Sequence, residues 1–272
     1  MDASHPVPFL KWAGGKGQLL GQMTGFFPGG FKTYYEPFLG GGALFFCLLP
    51  THAVLSDSNP ELIQVYKSVR DDPDGLMAEL DEHRGHALSE AYFYKVRRQN
   101  PHSLSPLERA ARTVFLNKTC FNGLYRVNSR GEFNVPFGRY SNPALYVEAN
   151  IRSASDALKG AELLIADFRE VCKRPRKGDF VYFDPPYQPL TRTAAFTDYT
   201  REGFGEQDQR DLADLFRRLN KRGCWLMLSN SSTLKIRGLY QDFGPMTVKA
   251  KRAINSKGTG RGVIDELLVM NY

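Results

Sequence analysis

The sequence predicts an α/β fold: a mixed sheet interrupted by an inserted, mainly helical domain that bears a β-hairpin. Three observations predict it. Short apolar runs that read as buried strands end abruptly at acids or glycine turns, and helical apolar patterns follow them. That alternation stops near Pro60 and resumes after Glu148. Between those points the chain reads as successive helices, then as a stretch punctuated by Asn-Gly and Arg-Gly turns. The expected division is therefore 1–59 with 149–272 for the sheet domain and 60–148 for the insertion. At 272 residues, 42% hydrophobic and 24% charged, the chain has ample material for a globular core.

The first element is FLKWAGGKG, residues 9–17. It is not a phosphate-binding P-loop, because Lys11 stands where the leading glycine is needed and Gly17 follows Lys16 where a hydroxyl is needed. A glycine-rich turn into a helix carrying Leu19, Leu20 and Met23 remains, with Trp12 placed to cover a planar ligand and Lys16 to pair with a carboxylate. Residues 33–36 read as the first strand. Pro37 to Gly42 then form a glycine turn into a helix with Leu44, Phe45 and Leu48. A second strand, 53–56, ends at Asp57, and Asn59-Pro60 opens the next helix. Strand, glycine turn and helix, with an acid closing the second strand, form a Rossmann-like nucleotide-binding layout, with Asp57 suited to ribose hydroxyls. NAD and S-adenosylmethionine (SAM) both fit it. Ala43-Leu44 after the glycines breaks the dinucleotide register, and Glu36 before the turn suits a cationic ligand; both favour SAM.

The insertion carries expected helices at 62–70, 75–84, 89–99 and 106–117. Residues 121–135 follow as a hairpin with Ser129-Arg130-Gly131 at its tip. Net charge is +7. Lys95, Arg97, Arg98, Arg109, Arg112, Lys118, Arg126, Arg130 and Arg139 crowd this region, opposed between Tyr92 and Tyr140 only by Glu108 and Glu132. A second basic stretch, Lys249 to Arg261, contains no acid. The partner expected from this distribution is a polyanion, double-stranded DNA, read by arginine and amide side chains on the hairpin.

After Asn150 a helix (151–159) leads to a strand (162–166) ending at Asp167-Phe168, an acid and a ring suited to a cofactor adenine. The decisive stretch is next. Phe180 to Phe183 read as a buried strand ending at Asp184, and Pro185-Pro186-Tyr187 cannot continue it, since two prolines remove two N–H donors. The turn offers only acceptors, so it suits an amine that donates two hydrogen bonds. The lone pair of an aromatic amine such as adenine N6 is delocalised into the ring. Accepting both N–H hydrogens at Asp184 and the Pro185 carbonyl favours a pyramidal, nucleophilic nitrogen, with Tyr187 stacked on the base. Cytosine N4 meets the same requirement. Phe196, in the segment 191–204 that follows, offers a second ring to an extruded base. Residues 207–222 form an amphipathic helix with Leu212, Leu215, Phe216 and Leu219 on one face. Strands follow at 225–229, 246–251 and 263–271, the last two joined by a basic loop, 252–262.

No apolar run approaches the roughly 20 residues of a membrane span, and the N-terminus lacks a signal pattern. Cys47, Cys120, Cys172 and Cys224 form no paired motif and read as reduced thiols of a cytoplasmic protein. The histidines (5, 52, 83, 86, 102) do not suggest a metal site. Neither a metal nor a membrane is expected, and the chain is expected to act as a monomer.

Taken together, FLKWAGGK (9–16), YYEPFLGGGALFF (34–46), DSNPELI (57–63), CFNGLYRVNSRGEFNVPFG (120–138), FDPPY (183–187) and FTDY (196–199) resemble the Dam-type DNA adenine-N6 methyltransferases, in the family's order and over nearly the whole chain. The resemblance implies a SAM-dependent methyltransferase fold with a recognition domain inserted after the second strand. It implies catalysis by Asp184, Pro185, Pro186 and Tyr187. It places Trp12, Lys16, Phe38, Gly40, Asp57, Asp167, Phe168 and Asp184 at the cofactor. Lys118, Asn122, Arg126, Asn128, Arg130, Arg139 and Phe196 fall to DNA, with Arg126 on a guanine, Phe196 against the flipped adenine, and GATC as the leading target. A cytosine-N4 methyltransferase and a DNA-binding module without catalysis are the alternatives.

Overall fold

The computed structural model describes residues 5–187, 204–251 and 263–272. The strands among them are β1 (Tyr34–Glu36), β2 (Ala53–Asp57), β3 (Ala161–Ile165), β4 (Phe180–Phe183), β5 (Trp225–Ser231), β6 (Met246–Lys251) and β7 (Val263–Met270). The helices are α1 (Leu20–Met23), α2 (Ala43–Leu48), α3 (Pro60–Asp71), α4 (Pro73–Arg84), α5 (Glu90–Arg97), α6 (Pro106–Thr119), α7 (Glu148–Leu158), α8 (Phe168–Val171), α9 (Glu206–Arg222) and α10 (Leu234–Leu239), with short 3-10 turns between some of them. Two compact units emerge. One comprises Met1–Gly15, Gly40–Leu49 and Asn59–Ile165; the other comprises Lys16–Leu39, Pro50–Ser58 and Ala166–Tyr272.

The second unit holds a mixed sheet. Its strands lie in the order β2-β1-β4-β5-β7-β6. The first four are parallel, and β7 and β6 are antiparallel to their neighbours. β4 is central, and all four of its side chains are buried. That explains its unbroken Phe-Val-Tyr-Phe run, because a strand covered on both faces needs no polar alternation. The sheet order reverses between β1 and β4: from β1 the chain goes to β2 on one side and later returns to β4 on the other. In open α/β sheets, ligands bind at the carboxyl ends of the strands flanking such a reversal. β1 ends at Glu36 and β4 is followed by Asp184, so both acids sit at the ends of the flanking strands. The helix α9 buries Leu212, Leu215, Phe216 and Leu219, as its periodicity predicts. It stops at Gly223, whose φ of +83° a side chain would resist; the Gly223 N–H caps the Asn220 and Leu219 carbonyls. The short helices α8 and α10 have too few residues for a periodic signal and are absent from the sequence expectation.

The first unit is mainly helical. Four of its helices, α3 to α6, start where a cap residue precedes a proline or an acid. Asn59 accepts from the backbone N–H groups of Glu61 and Leu62 at the head of α3. Asp72 and Ser89 cap α4 and α5, and Ser105 with Glu108 closes a reciprocal capping box on α6. α3 and α6 are cross-linked by Arg109, which grips both carboxylate oxygens of Glu61. Phe93, Val96, Phe115, Leu116, Phe133, Val135 and Leu145 form one apolar cluster, so the stretch after α6 is packed onto the helices.

That stretch differs from the expected hairpin in one respect. The reversal and its tip are present: the Asn128 carbonyl accepts from the Gly131 N–H at 2.8 Å, and the Asn128 side chain accepts from the N–H groups of Arg130 and Glu132. A continuous ladder is not. Two isolated antiparallel bridges, Cys120 with Phe137 and Val127 with Phe133, hold the arms. Asn122 and Gly123 both adopt positive φ (56° and 63°), which breaks the first arm, and Pro136 has no N–H to donate from the second.

The four cysteines are free thiols. No helix among the described residues is long and apolar enough to cross a membrane.

Candidate active site

In the second unit, the chain leaves β4 at Phe183 and runs through Asp184-Pro185-Pro186-Tyr187 without regular structure. β5 lies beside it in parallel register, Phe183 opposite Leu228, which brings Ser229 level with Asp184. The Ser229 hydroxyl donates to Asp184 Oδ1 at 3.0 Å, and the Tyr182 hydroxyl is 2.8 Å from the Ser229 oxygen. Lys16 Nζ reaches the same Oδ1 at 2.7 Å and is itself almost fully buried. Both partners therefore converge on one carboxylate oxygen, and Oδ2 is used by neither. The Gln209 side-chain amide donates to the Pro186 carbonyl at 3.1 Å, while its oxygen accepts from Asn230. Among the described residues no donor reaches the Pro185 carbonyl. The turn thus presents Asp184 Oδ2 and the Pro185 carbonyl, while Asp184 Oδ1 and the Pro186 carbonyl are occupied.

Beyond the prolines, the Tyr187 hydroxyl donates to Glu266 Oε2 at 2.6 Å, and Lys16 Nζ lies 4.7 Å from the Tyr187 ring centroid. Glu36, at the end of β1, is also buried and accepts from the Tyr34 hydroxyl at 2.8 Å. Glu36, Asp184 and Glu266 all act on Tyr182 electrostatically, so three acids share this region with Lys16. Burial pushes the Asp184 carboxyl up from its ordinary value; the nearby Lys16 charge and the Lys16 and Ser229 hydrogen bonds pull it part of the way back. Burial likewise raises Glu266, opposed by Lys16 and the Tyr187 hydrogen bond. The Tyr187 phenol is driven well upward by burial and then by the two carboxylates, so it stays a donor.

The other predicted cofactor residues of this unit fall into two groups. Phe38 is half-buried and packs 5.2 Å from Phe168 and edge-on, at 5.6 Å, to Phe204. Phe168 is buried, with the Arg169 guanidinium 4.3 Å from its ring. Asp167 caps α8 through the Arg169 N–H and is ion-paired to the Arg169 side chain, which Asp208 and Asp211 also hold. Asp57 closes β2, half-buried, its carbonyl accepting from the Ala166 N–H at 3.2 Å.

In the first unit, Trp12 stacks on Tyr125 at 5.5 Å and 26°. Gly40 has φ +48°, and a Cβ there would lie 2.8 Å from the Trp12 indole, so the position requires glycine. Arg126 is exposed and its Nε donates to Asn134 Oδ1 at 2.7 Å. Asn122 is half-buried in its left-handed conformation. Asn128 builds the tip turn; Arg130 is exposed, 3.2 Å from Glu132. Arg139 is exposed, with only a 4.0 Å contact to Glu90. Lys118 is half-buried, and desolvation, then the neighbouring Lys11, lowers its ammonium to about 8. Phe196 and the basic loop 252–262 lie outside the described residues.

The sequence alone does not single out four contributors. Ser229 and Gln209 are ordinary strand and helix residues whose roles appear only with strand register. The sequence marks Tyr125 only as part of the hairpin. Glu266 had a signal: an acid within the apolar run of β7, beside Asp265. No group of potential metal ligands occurs among the described residues.

Residues 12–254 match a family described as D12 class N6 adenine-specific DNA methyltransferase. The chain is 46% identical over 285 residues to the type II methyltransferase M.MjaIII of Methanocaldococcus jannaschii, covering 97% of this chain and 99% of that protein. It is 44% identical over 271 residues to the type II methyltransferase M1.LlaDCHI of Lactococcus lactis subsp. cremoris, covering 97% and 95%. To the DNA adenine methylase of Escherichia coli K12 it is 35% identical over 263 residues, covering 96% and 94%.

Proposed function

This chain belongs to the D12 class of N6 adenine-specific DNA methyltransferases, and we propose that it transfers the methyl group of SAM to adenine N6 in duplex DNA, at GATC, with the adenine extruded from the helix. The observation that carries the reading is the pair of acceptors at the end of β4. Asp184 Oδ1 is pinned by Lys16 and Ser229, so Oδ2 and the Pro185 carbonyl are left to accept the two N6 hydrogens. Accepting both draws the nitrogen toward a pyramidal geometry and frees its lone pair for attack. Within a stacked duplex N6 cannot reach such a turn, so the base must leave the stack, at a cost of a few kcal/mol. Tyr187, with Phe196 from the sequence, supplies the rings that receive it.

SAM, when bound, supplies the methyl group on a positively charged sulfur. The residues of the second unit suit that charge. Glu36, Asp184 and Glu266 outnumber Lys16 in one buried region, an arrangement that favours a cation and repels a pyrophosphate. We assign Lys16, Phe38, Asp57, Asp167, Phe168 and Asp184 to the cofactor, with Trp12 and Gly40 from the glycine-rich turns. Positioning the amine against the donor accounts for much of the rate, since the leaving sulfur needs no proton.

Residues 60–148 are assigned to DNA recognition. Exposed Arg126, Arg130 and Arg139 on the stretch after α6 support this, as does the excess of basic residues there. Arg126 is the proposed guanine reader, and Lys118, Asn122 and Asn128 are proposed to contact or shape the same surface. The enzyme is proposed to work as a monomer in a prokaryotic cytosol or nucleoid.

The test is methylation of duplexes with and without GATC by purified protein and SAM, followed by nucleoside analysis. N6-methyladenine confined to GATC is expected, and Asp184→Ala is expected to abolish it while leaving DNA binding intact. N4-methylcytosine as product, or an active Asp184→Ala variant, overturns the assignment. Modified adenine in another context overturns GATC alone.

A further inference from the structure

We propose that Glu266 is a positioning residue for the transfer, holding the ring of Tyr187 by its hydroxyl in the orientation that receives the target base. The inference rests on the functional reading above and assigns a role to a residue outside the Asp184–Tyr187 turn.

Glu266 lies in β7, opposite Ser231 of β5 and Val248 of β6. It is 8% exposed, and Leu267, Leu268 and Val269 beside it are fully apolar. A carboxylate is a costly occupant of such a strand, and an aliphatic residue would serve packing better. Its side chain forms no ion pair among the described residues. What it does hold is the Tyr187 hydroxyl, at 2.6 Å, a short hydrogen bond to a charged acceptor. Tyr187 needs such a restraint. It follows two prolines, outside any helix or strand, and its ring can turn about two side-chain torsions. The Glu266 bond fixes the far end of the ring, and the Lys16 ammonium, 4.7 Å from the ring centroid, fixes its face. Lys16 also grips Asp184 at 2.7 Å. The ring and the amine acceptor are thereby referred to one buried cation, and Glu266 supplies the third point that removes the remaining swing.

The experiment is a double-mutant cycle on the full-length protein, with Glu266→Ala, Tyr187→Phe and the combined variant, read by single-turnover methylation of a GATC duplex. If Glu266 acts through the phenol, each single variant loses about tenfold in rate, and the combined variant loses about tenfold rather than about a hundredfold. Glu266→Gln, which keeps an acceptor oxygen, recovers most of the rate. Multiplicative losses, a wild-type rate for Glu266→Ala, or a Glu266→Gln variant as damaged as Glu266→Ala each overturn the proposal. If Glu266→Ala does not fold, Glu266→Asp takes its place in the cycle, retaining charge while losing reach, with the same expectation. The wild-type protein separates the two levels of inference. Absence of methylated adenine from wild type defeats the functional reading, whereas an active wild type with a multiplicative cycle defeats only the role of Glu266.

Discussion

Replacing Lys16 with methionine isolates the charge on which the acceptor turn depends. The Lys16 ammonium is 3% exposed and 2.7 Å from Asp184 Oδ1, and the Asp184 side chain is 20% exposed. At an effective dielectric constant near 20, that contact is worth roughly 6 kcal/mol of gross attraction, most of it offset by the desolvation of both ions. Removing one partner leaves the other buried without compensation, which typically costs about 3–5 kcal/mol. Because Asp184 keeps some solvent access and the Ser229 hydrogen bond, the lower end, about 3 kcal/mol near pH 7, is the expectation. For a chain of this size that corresponds to a fall in melting temperature on the order of 6–12 °C.

The dependence on pH gives the sharper check. Burial already raises the Asp184 carboxyl above its unfolded value, with Lys16 restraining the rise. A raised carboxyl favours the fold at low pH and loses that contribution as pH climbs through the folded value. Without Lys16 the folded value climbs further, so the variant pays its penalty only where Asp184 must ionise. The stability gap between wild type and Lys16→Met should be largest near neutral pH and should shrink on acidification, as Asp184 protonates. Urea unfolding at several pH values measures this directly. A gap constant with pH would refute the claim that the lysine's main effect is on this carboxylate. Methyl transfer should fall in the same variant, since Oδ1 then keeps a single restraint.

Three further outcomes are expected. Arg126→Ala should relax discrimination at one base pair by about 1–3 kcal/mol, read as relative methylation rates on duplexes altered at each position of the site; unchanged discrimination removes Arg126 as a reader. Gly40→Ala forces a side chain into a backbone of φ +48° and against the Trp12 indole, so SAM affinity should drop about tenfold or more, measurable by calorimetric titration, with near-wild-type affinity counting against the assignment of this turn. Loss of the methyl group leaves the donor's sulfur uncharged, so the acids around Tyr182 should hold SAM more tightly than its demethylated product. Glu266→Gln should narrow that ratio, and an unchanged ratio would show that the acid excess does not sense the charge.

Most of the fold was legible because the strands announce themselves. β4 reads as a buried strand because Phe180 to Phe183 are packed on both faces, and it ends where two prolines forbid continuation. The start of α3 was legible for a similar reason, since Asn59-Pro60 supplies a cap and a preset φ; in the structure Asp72-Pro73 and Ser105-Pro106 head α4 and α6 in the same way. The departures occur where local rules stop deciding. Residues 120–138 carry hairpin turn signals, but Asn122 and Gly123 in left-handed conformations and Pro136 without an N–H divide the ladder into two bridges, and packing onto Phe93 and Phe115 replaces it. The site shows the same boundary. Asp184 and Tyr187 were recognisable because their chemistry is local to the turn. Ser229, Gln209 and Glu266 were not, because each owes its role to register: one strand over for Ser229, one helix face for Gln209, two strands over for Glu266. A sequence can show that a turn has only acceptors. Which of those acceptors are already occupied, and hence which two are left for an amine, depends on neighbours that are distant along the chain and adjacent only once the sheet has formed.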